Sequence, residues 1–217
     1  MDLVTITDHD TIEGALELAD LPDFIVGEEL TCEIAPGRQI HLGLWDLSER
    51  THHGLTQRRC DPEALFAFLA ENDIPACINH PFSPLTGARE ADDLHRAFAA
   101  ISAIETQNGM MPKVSNEYAR SEARRRRLAQ VGGSDAHTLD RIGHAFTTVP
   151  RADNREEFLA GLRDGFTVPA GGAGTYARLT ADVIRIFSGA VVENTVQALQ
   201  SPLHAAKFLA TTSIVPF

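Results

Sequence analysis

Cysteine is scarce in this chain, and the three present, Cys32, Cys60 and Cys77, stand too far apart for a disulfide framework. None belongs to a C-x-x-C pair of the kind that holds structural zinc, so reduced thiols in a cytoplasmic protein are expected. Long apolar runs are missing too. No stretch approaches the roughly 20 residues of a spanning helix, and the first residues show neither a basic leader nor a secretory cleavage site, so no membrane partner is expected. Basic residues are outnumbered: 19 Lys and Arg against 30 Asp and Glu give a formal charge of −11. That balance argues against an extended nucleic-acid surface and leaves small substrates or strand ends as better partners.

What is present is an alternation. At 217 residues with 43% hydrophobic content, the chain can bury one substantial core. Helical patterns over Thr11 to Ala19, Asp92 to Ala100, Asn116 to Gln130 and Asp153 to Leu162 each give way within a few residues to a β-type run. Asp61-Pro62-Glu63 opens another helix with a capping residue, a proline in the first turn and an early acid. The alternation reads as β/α units around a parallel sheet. Pro169 to Gly174 reads as a loose glycine-rich connection, and Leu179 to Phe187 and Val191 to Leu209 as a mainly helical tail, giving two parts, 1–168 and 169–217. The tail's Leu179, Val183, Ile186, Val191 and Val192 exceed what a solvated segment carries, so it is expected to pack on the barrel or to mediate a homo-oligomer.

Several β-type runs end in metal-ligand chemistry. Val4-Thr5-Ile6 leads into Asp8-His9-Asp10, Phe24-Ile25-Val26 into Glu28-Glu29, Ala76-Cys77-Ile78 into His80, Ile101 to Ile104 into Glu105, and Val131-Gly132-Gly133 into Asp135 and His137. Parallel barrels place such strand-end residues together on one face. Imidazole mixed with carboxylate suits zinc, manganese or iron, whereas oxygen-only sets suit calcium or magnesium. On an extended segment Asp135 and His137 would project to one side and serve neighbouring ions. Pro81 predicts an extended His80. His41 begins its β-type run, so position alone reads it as an ordinary strand residue.

In order, Thr7-Asp8-His9-Asp10-Thr11, Gly27-Glu28-Glu29-Leu30-Thr31, His41-Leu42-Gly43-Leu44, Asn79-His80-Pro81, Ile104-Glu105 and Gly133-Ser134-Asp135-Ala136-His137, closed by Ile142-Gly143, resemble the motifs of the polymerase-and-histidinol-phosphatase (PHP) family of metal-dependent phosphoesterases. The resemblance covers about residues 1 to 150, and the helix-strand unit to Val168 also fits. It implies an α/β fold of the distorted (β/α)7 TIM-like barrel type, up to three divalent metal ions, and hydrolysis of phosphate esters by metal-activated water. It assigns metal ligation to His9, Glu29, His41, His80, Asp135 and His137, with Glu29 bridging, and places Glu105 at a position acidic in many members. Catalysis would centre on Asp8, His9, Asp10, Asp135 and His137, with Asp10 orienting His9. Glu28 falls where the family often has an apolar residue.

The family opens with a strand ending in His-x-His, and these residues do not include it. The resemblance therefore implies a barrel incomplete at its N-terminus and fewer ions, with Glu29, His41 and His80 still able to hold one. The motif forms most resemble members acting on nucleotides and nucleic-acid ends, with histidinol phosphate as the alternative substrate. The competing class is a metal-binding remnant or interaction protein without catalysis.

Other polar features read as structural. His52-His53 is expected in a solvent-exposed connection, and His95, His144 and His204 are isolated. Arg124 to Arg127 is expected to be a solvated run at a helix C-terminus, whose dipole it complements. Ser83 and Ser134 lack a G-x-S-x-G setting, and Gly171 to Gly174 lacks the residues of a phosphate loop.

Overall fold

The computed structural model of the chain describes residues 2–83, 86–87, 89–175 and 180. Its elements, in order, are β1 (Val4–Ile6), α1 (Glu13–Leu16), β2 (Phe24–Ala35), β3 (Arg38–Trp45), α2 (Glu49–Thr56), α3 (Pro62–Glu71), β4 (Ala76–Ile78), α4 (Ala91–Ala100), β5 (Ala103–Asn108), α5 (Lys113–Arg126), β6 (Ala129–Gly133), β7 (Ala145–Thr148), α6 (Arg155–Asp164) and β8 (Val168–Gly171).

The β2–β3 hairpin decides which side chains meet. In β2 the even positions Leu30, Cys32 and Ile34 are apolar and buried, whereas Glu29, Thr31 and Glu33 are polar, the two-residue period of a strand with two different faces. Pro36-Gly37 closes the hairpin, and Gly37 has φ +69°, a value glycine adopts without a Cβ penalty. The register sets Leu30 opposite Leu42 and Cys32 opposite Ile40 on one face, and Glu29 opposite Gly43 and Thr31 opposite His41 on the other.

Six strands form one curled sheet in the order β1 to β6. β1 and β2 are parallel, as are β4, β5 and β6, but β3 is antiparallel to both of its neighbours. The all-parallel expectation fails there because a two-residue turn can join only antiparallel strands, whereas a parallel return needs a crossover of a dozen residues or more. Running backwards, β3 brings its early residue His41 beside Asn79, just past the end of β4.

Helices cover the even face. Leu30, Ile34, Ile40, Leu42, Leu44, Leu55 and Leu65 are fully buried in one cluster, each contributing roughly 1.5–3 kcal/mol by burial. A second cluster, Ile25, Cys77, Ala103, Val131, Leu159 and Leu162, joins the start of the strands on the other face to α6. The odd face is thus apolar at one end and polar at the other.

Local chemistry fixes several ends. Asp61 accepts from the Ala64 amide at 3.1 Å with Pro62 following, as the sequence predicts. α5 stops at Arg127 in a left-handed conformation, Arg125 and Arg126 pair with Glu122, and Arg126 lies over Phe98. The helix expected over Thr11 to Ala19 shrinks to Glu13–Leu16, whose N-cap Ile12 offers no side-chain acceptor. Conversely, Ser48 and Thr51 form a capping box that starts α2, so His52 and His53 lie on a helix. β8 pairs with β7 from Val168 to Gly171, so the stretch read as a loose connection from Pro169 begins as a strand. The tail from residue 176, apart from Thr180, lies outside the described residues. Among the described residues no helix is long and apolar enough to cross a membrane.

Candidate metal centre

Three chain segments converge on the carboxylate of Glu29. Its Oε1 lies 2.9 Å from His80 Nε2 and 3.2 Å from His41 Nδ1, and accepts the Asn79 side-chain amide at 3.1 Å. Its Oε2 lies 3.3 Å from His9 Nε2. The rings of His9 and His41 meet edge-on at 4.8 Å between centroids, and those of His41 and His80 at 5.2 Å.

Backbone pairing holds each group. The Glu29 amide donates to Asp8 O and the Asp10 amide to Glu29 O, both at 3.0 Å, so His9 is carried on an isolated bridge against β2. The Asn79 amide donates to His41 O at 2.9 Å. A Cβ on Gly43 would lie 2.5 Å from Asn79 Oδ1, so glycine leaves room for Asn79 beside Glu29.

His80 departs from the extended geometry expected before Pro81, with φ +25°. Proline disfavours the right-handed helical region for its predecessor, and here the left-handed side is fixed by hydrogen bonds at both ends. The His80 amide donates to Glu105 Oε2 and its carbonyl accepts the Ser83 amide, each at 2.8 Å. Thr86 Oγ1 stands 3.3 Å from His80 Nδ1, leaving Nε2 for Glu29.

The charges are mutually dependent. Burial alone would raise the Glu29 pKa, but the close His41 and His80 imidazoles, with their positive charge, hold it far below the usual carboxylate range. Burial would lower His80, yet Glu29, Glu105 and Asp135 outweigh it and push its pKa up to about 9. His41 Nδ1 is buried and, despite its closeness to Glu29, lacks an aligned hydrogen bond. His9, Glu29 and His41 offer ligand atoms all within 4.8 Å of one another. An unaligned buried nitrogen inside an imidazole-carboxylate set fits zinc, manganese or iron.

A second acidic group adjoins His80. Asn108 Nδ2 donates to Glu105 Oε2 at 2.9 Å and to Asp135 Oδ2 at 3.1 Å, holding two carboxylates together. Burial pushes Glu105 up to about 7, eased by the His80 charge and reinforced by Asp135. Gly133 permits this approach, since a Cβ there would lie 2.8 Å from Glu105 Oε1.

His137 stands apart. Asp135 has φ +50°, beyond the end of β6, so the two-residue spacing is not extended and the side chains do not simply share a face. His137 Nδ1 instead lies 3.0 Å from the Asp135 carbonyl oxygen, with its side chain 43% exposed.

Two further expectations change. Asp10 is not bonded to His9: its Oδ1 accepts from the Thr31 amide at 2.7 Å and its Oδ2 pairs with Arg59 at 3.2 Å, because its left-handed backbone, φ +56°, turns it toward β2. Asp8 is exposed, with Oδ2 2.8 Å from where a Gly14 Cβ would stand. His52, expected in solvent, has Nδ1 2.6 Å from Oε2 of the fully buried Glu28. Burial raises the Glu28 pKa against the His52 charge and hydrogen bond. The Ser48 capping signal places His52 on a helix, and the period of β2 places Glu28 beneath it. Asn108 carries no sequence signal of its role.

Comparison with known proteins agrees with this architecture. The chain matches the family model described as PHP-associated over residues 113–167, from α5 through the Asp135–His137 segment to α6. No curated protein matches it in sequence. Among solved structures it resembles a two-domain protein of Bacteroides vulgatus ATCC 8482 described as containing a predicted PHP-like metal-dependent phosphoesterase, at 18% identity and TM-score 0.57, covering 79% of this chain and 56% of that one. It also resembles PsfC of Pseudomonas syringae PB-5123, at 18% identity and TM-score 0.59, covering 88% of this chain and 84% of that one. The chain thus spans little more than half the length of the Bacteroides protein. The matched segment is thus similar to PHP-associated sequences, and the chain shares its fold with these two solved structures.

Proposed function

We propose that the chain is a metal-dependent phosphoesterase working within the PHP-type barrel, with nucleotides or nucleic-acid ends as its substrate class. The observation that carries this reading is the convergence of His9, His41 and His80 on one buried carboxylate, Glu29. Glu29, His41, His80 and His9 would hold a zinc, manganese or iron ion, and Glu105 with Asp135 would hold a second beside it. Bound divalent ions acidify water and neutralise charge on the attacking and leaving phosphate oxygens.

The chain's own groups prepare that chemistry. Asn79 fixes Oε1 of Glu29, and Thr86 fixes the ring of His80. Burial pushes the Glu105 pKa up to about 7, so it would give up its proton at little cost when a cation arrives. Asp10, through Thr31 and Arg59, anchors the backbone that carries His9. No side-chain nucleophile is required.

The test is elemental analysis after loading with zinc or manganese, followed by hydrolysis of bis(p-nitrophenyl) phosphate and of a nucleoside 3′,5′-bisphosphate. Bound metal and turnover that both disappear in His41→Ala and His80→Ala are expected. Full metal content in both variants would refute the site, and a metal-loaded wild type without turnover would favour a binding protein.

A further inference from the structure

Arginines near the sheet commonly meet carboxylates in this acidic chain: Arg38 meets Asp93, Arg59 Asp10, Arg126 Glu122 and Arg163 Asp46. Arg89 does not. It belongs to the segment after β4, and its Nη2 donates to the Ser83 carbonyl at 2.8 Å. Among the described residues its buried Nη1 has no hydrogen-bond partner. Burial lowers its pKa, with no acid opposing. An unpaired, partly desolvated cation is costly unless an anion completes it.

The same segment holds His80. Ser83 donates its amide to the His80 carbonyl, and Thr86 meets the His80 ring. Arg89 is therefore tied, through Ser83, to the residue that bonds Glu29. A guanidinium presents planar paired donors that match phosphate oxygens better than a lysine ammonium does.

We propose that Arg89 is the anion-binding residue of this metal centre, its unpartnered Nη1 edge taking a non-bridging oxygen of the substrate's phosphate. The proposal rests on the phosphoesterase reading and adds the group that positions the ester. Neither Arg89 nor its partner Ser83 belongs to the ligand set, so charge recognition and metal binding should separate experimentally.

Calorimetric titration of the zinc-loaded protein with inorganic phosphate tests this, with zinc content measured in parallel. Arg89→Gln is expected to keep its zinc and to weaken phosphate binding about ten- to a hundredfold, as loss of a charged hydrogen bond does. Arg89→Lys should restore part of the affinity. Unchanged phosphate binding in Arg89→Gln, or a wild type that binds no phosphate, would overturn the proposal. Zinc lost together with phosphate would also overturn it, because Arg89 would then only support His80. Should Arg89→Gln fail the circular-dichroism check for folding, Arg89→Lys decides: wild-type phosphate affinity sinks the proposal, and weaker affinity with full zinc supports it. Arg89-dependent phosphate binding without turnover would sink the hydrolase reading and keep the anion site. Turnover unaffected by Arg89→Gln would sink the anion site alone.

Discussion

The two sides of the centre are built differently. Around Glu29 the groups sit on or against paired strands, with Glu29 and His41 fixed by the β2–β3 register and Glu29 only 7% exposed. Beyond β6, Asp135 and His137 sit on a turn, and His137 is bonded only to its own neighbourhood. The contrast teaches that the strand side is preorganised before any ion arrives, whereas His137 must move or be met. Sites on strands are held more tightly than sites on loops.

The sharpest break of this comparison is Glu29→Gln. It removes the charge that gathers three imidazoles, and metal binding should fall by more than the roughly 10–100-fold that loss of a supporting hydrogen bond costs. Near-normal metal content by elemental analysis would show that Glu29 is not the hub. Next in size, Asn79→Ala should weaken affinity within that range of about 10–100-fold, read by competition with a chelating dye. His137→Ala should change affinity only a few-fold, about 1 kcal/mol or less. A loss as large as that of His41→Ala would erase the distinction between the two sides.

A separate effect is one of pH. An unfolded histidine titrates near about 6.5, and folded His80 near about 9. Between these values the folded metal-free chain holds a proton that the unfolded chain has lost, so this contribution is complete below about 6.5 and disappears as pH rises through about 9. Glu105 adds the same slope lower down. Its folded pKa of about 7 exceeds the unfolded value of about 4.3, so metal-free stability declines across that window too. Melting temperature without metal should therefore drop by several degrees between pH 5 and pH 9, about 2–4 °C for each kcal/mol lost. Metal affinity should rise over the same range, because binding expels those protons. A melting curve indifferent to pH would show that the imidazole-carboxylate links are absent in solution.

The strand side was largely legible in the sequence. Short apolar runs leading into His9, Glu29 and His80 marked candidate ligands, and the resemblance carried by His41-Leu42-Gly43 added a fourth; the structure brings all four together. The direction of β3 was less legible, although Pro36-Gly37 is a hairpin signal, because a run of alternating side chains looks the same in either direction. Side-chain aim was harder still. Pro81 restricts His80 without selecting a left-handed backbone, and Asp10 and Asp135 acquire their positions from turns set by distant bonds. His52 looked exposed because its neighbours in sequence are polar, whereas its partner Glu28 comes from another element 24 residues away.

The adjacent carboxylates of β2 have a consequence for folding fidelity. Glu28 and Glu29 face opposite sides of one strand, so a slip of a single residue swaps the faces they occupy. Slipped in the direction that brings Glu28 to the histidines, the strand would still present a carboxylate there while Glu29, Thr31 and Glu33 replaced Leu30, Cys32 and Ile34 in the core. Such a species would keep a semblance of the ion site and lose its packing, so bound metal alone does not certify the native register; cooperative melting does.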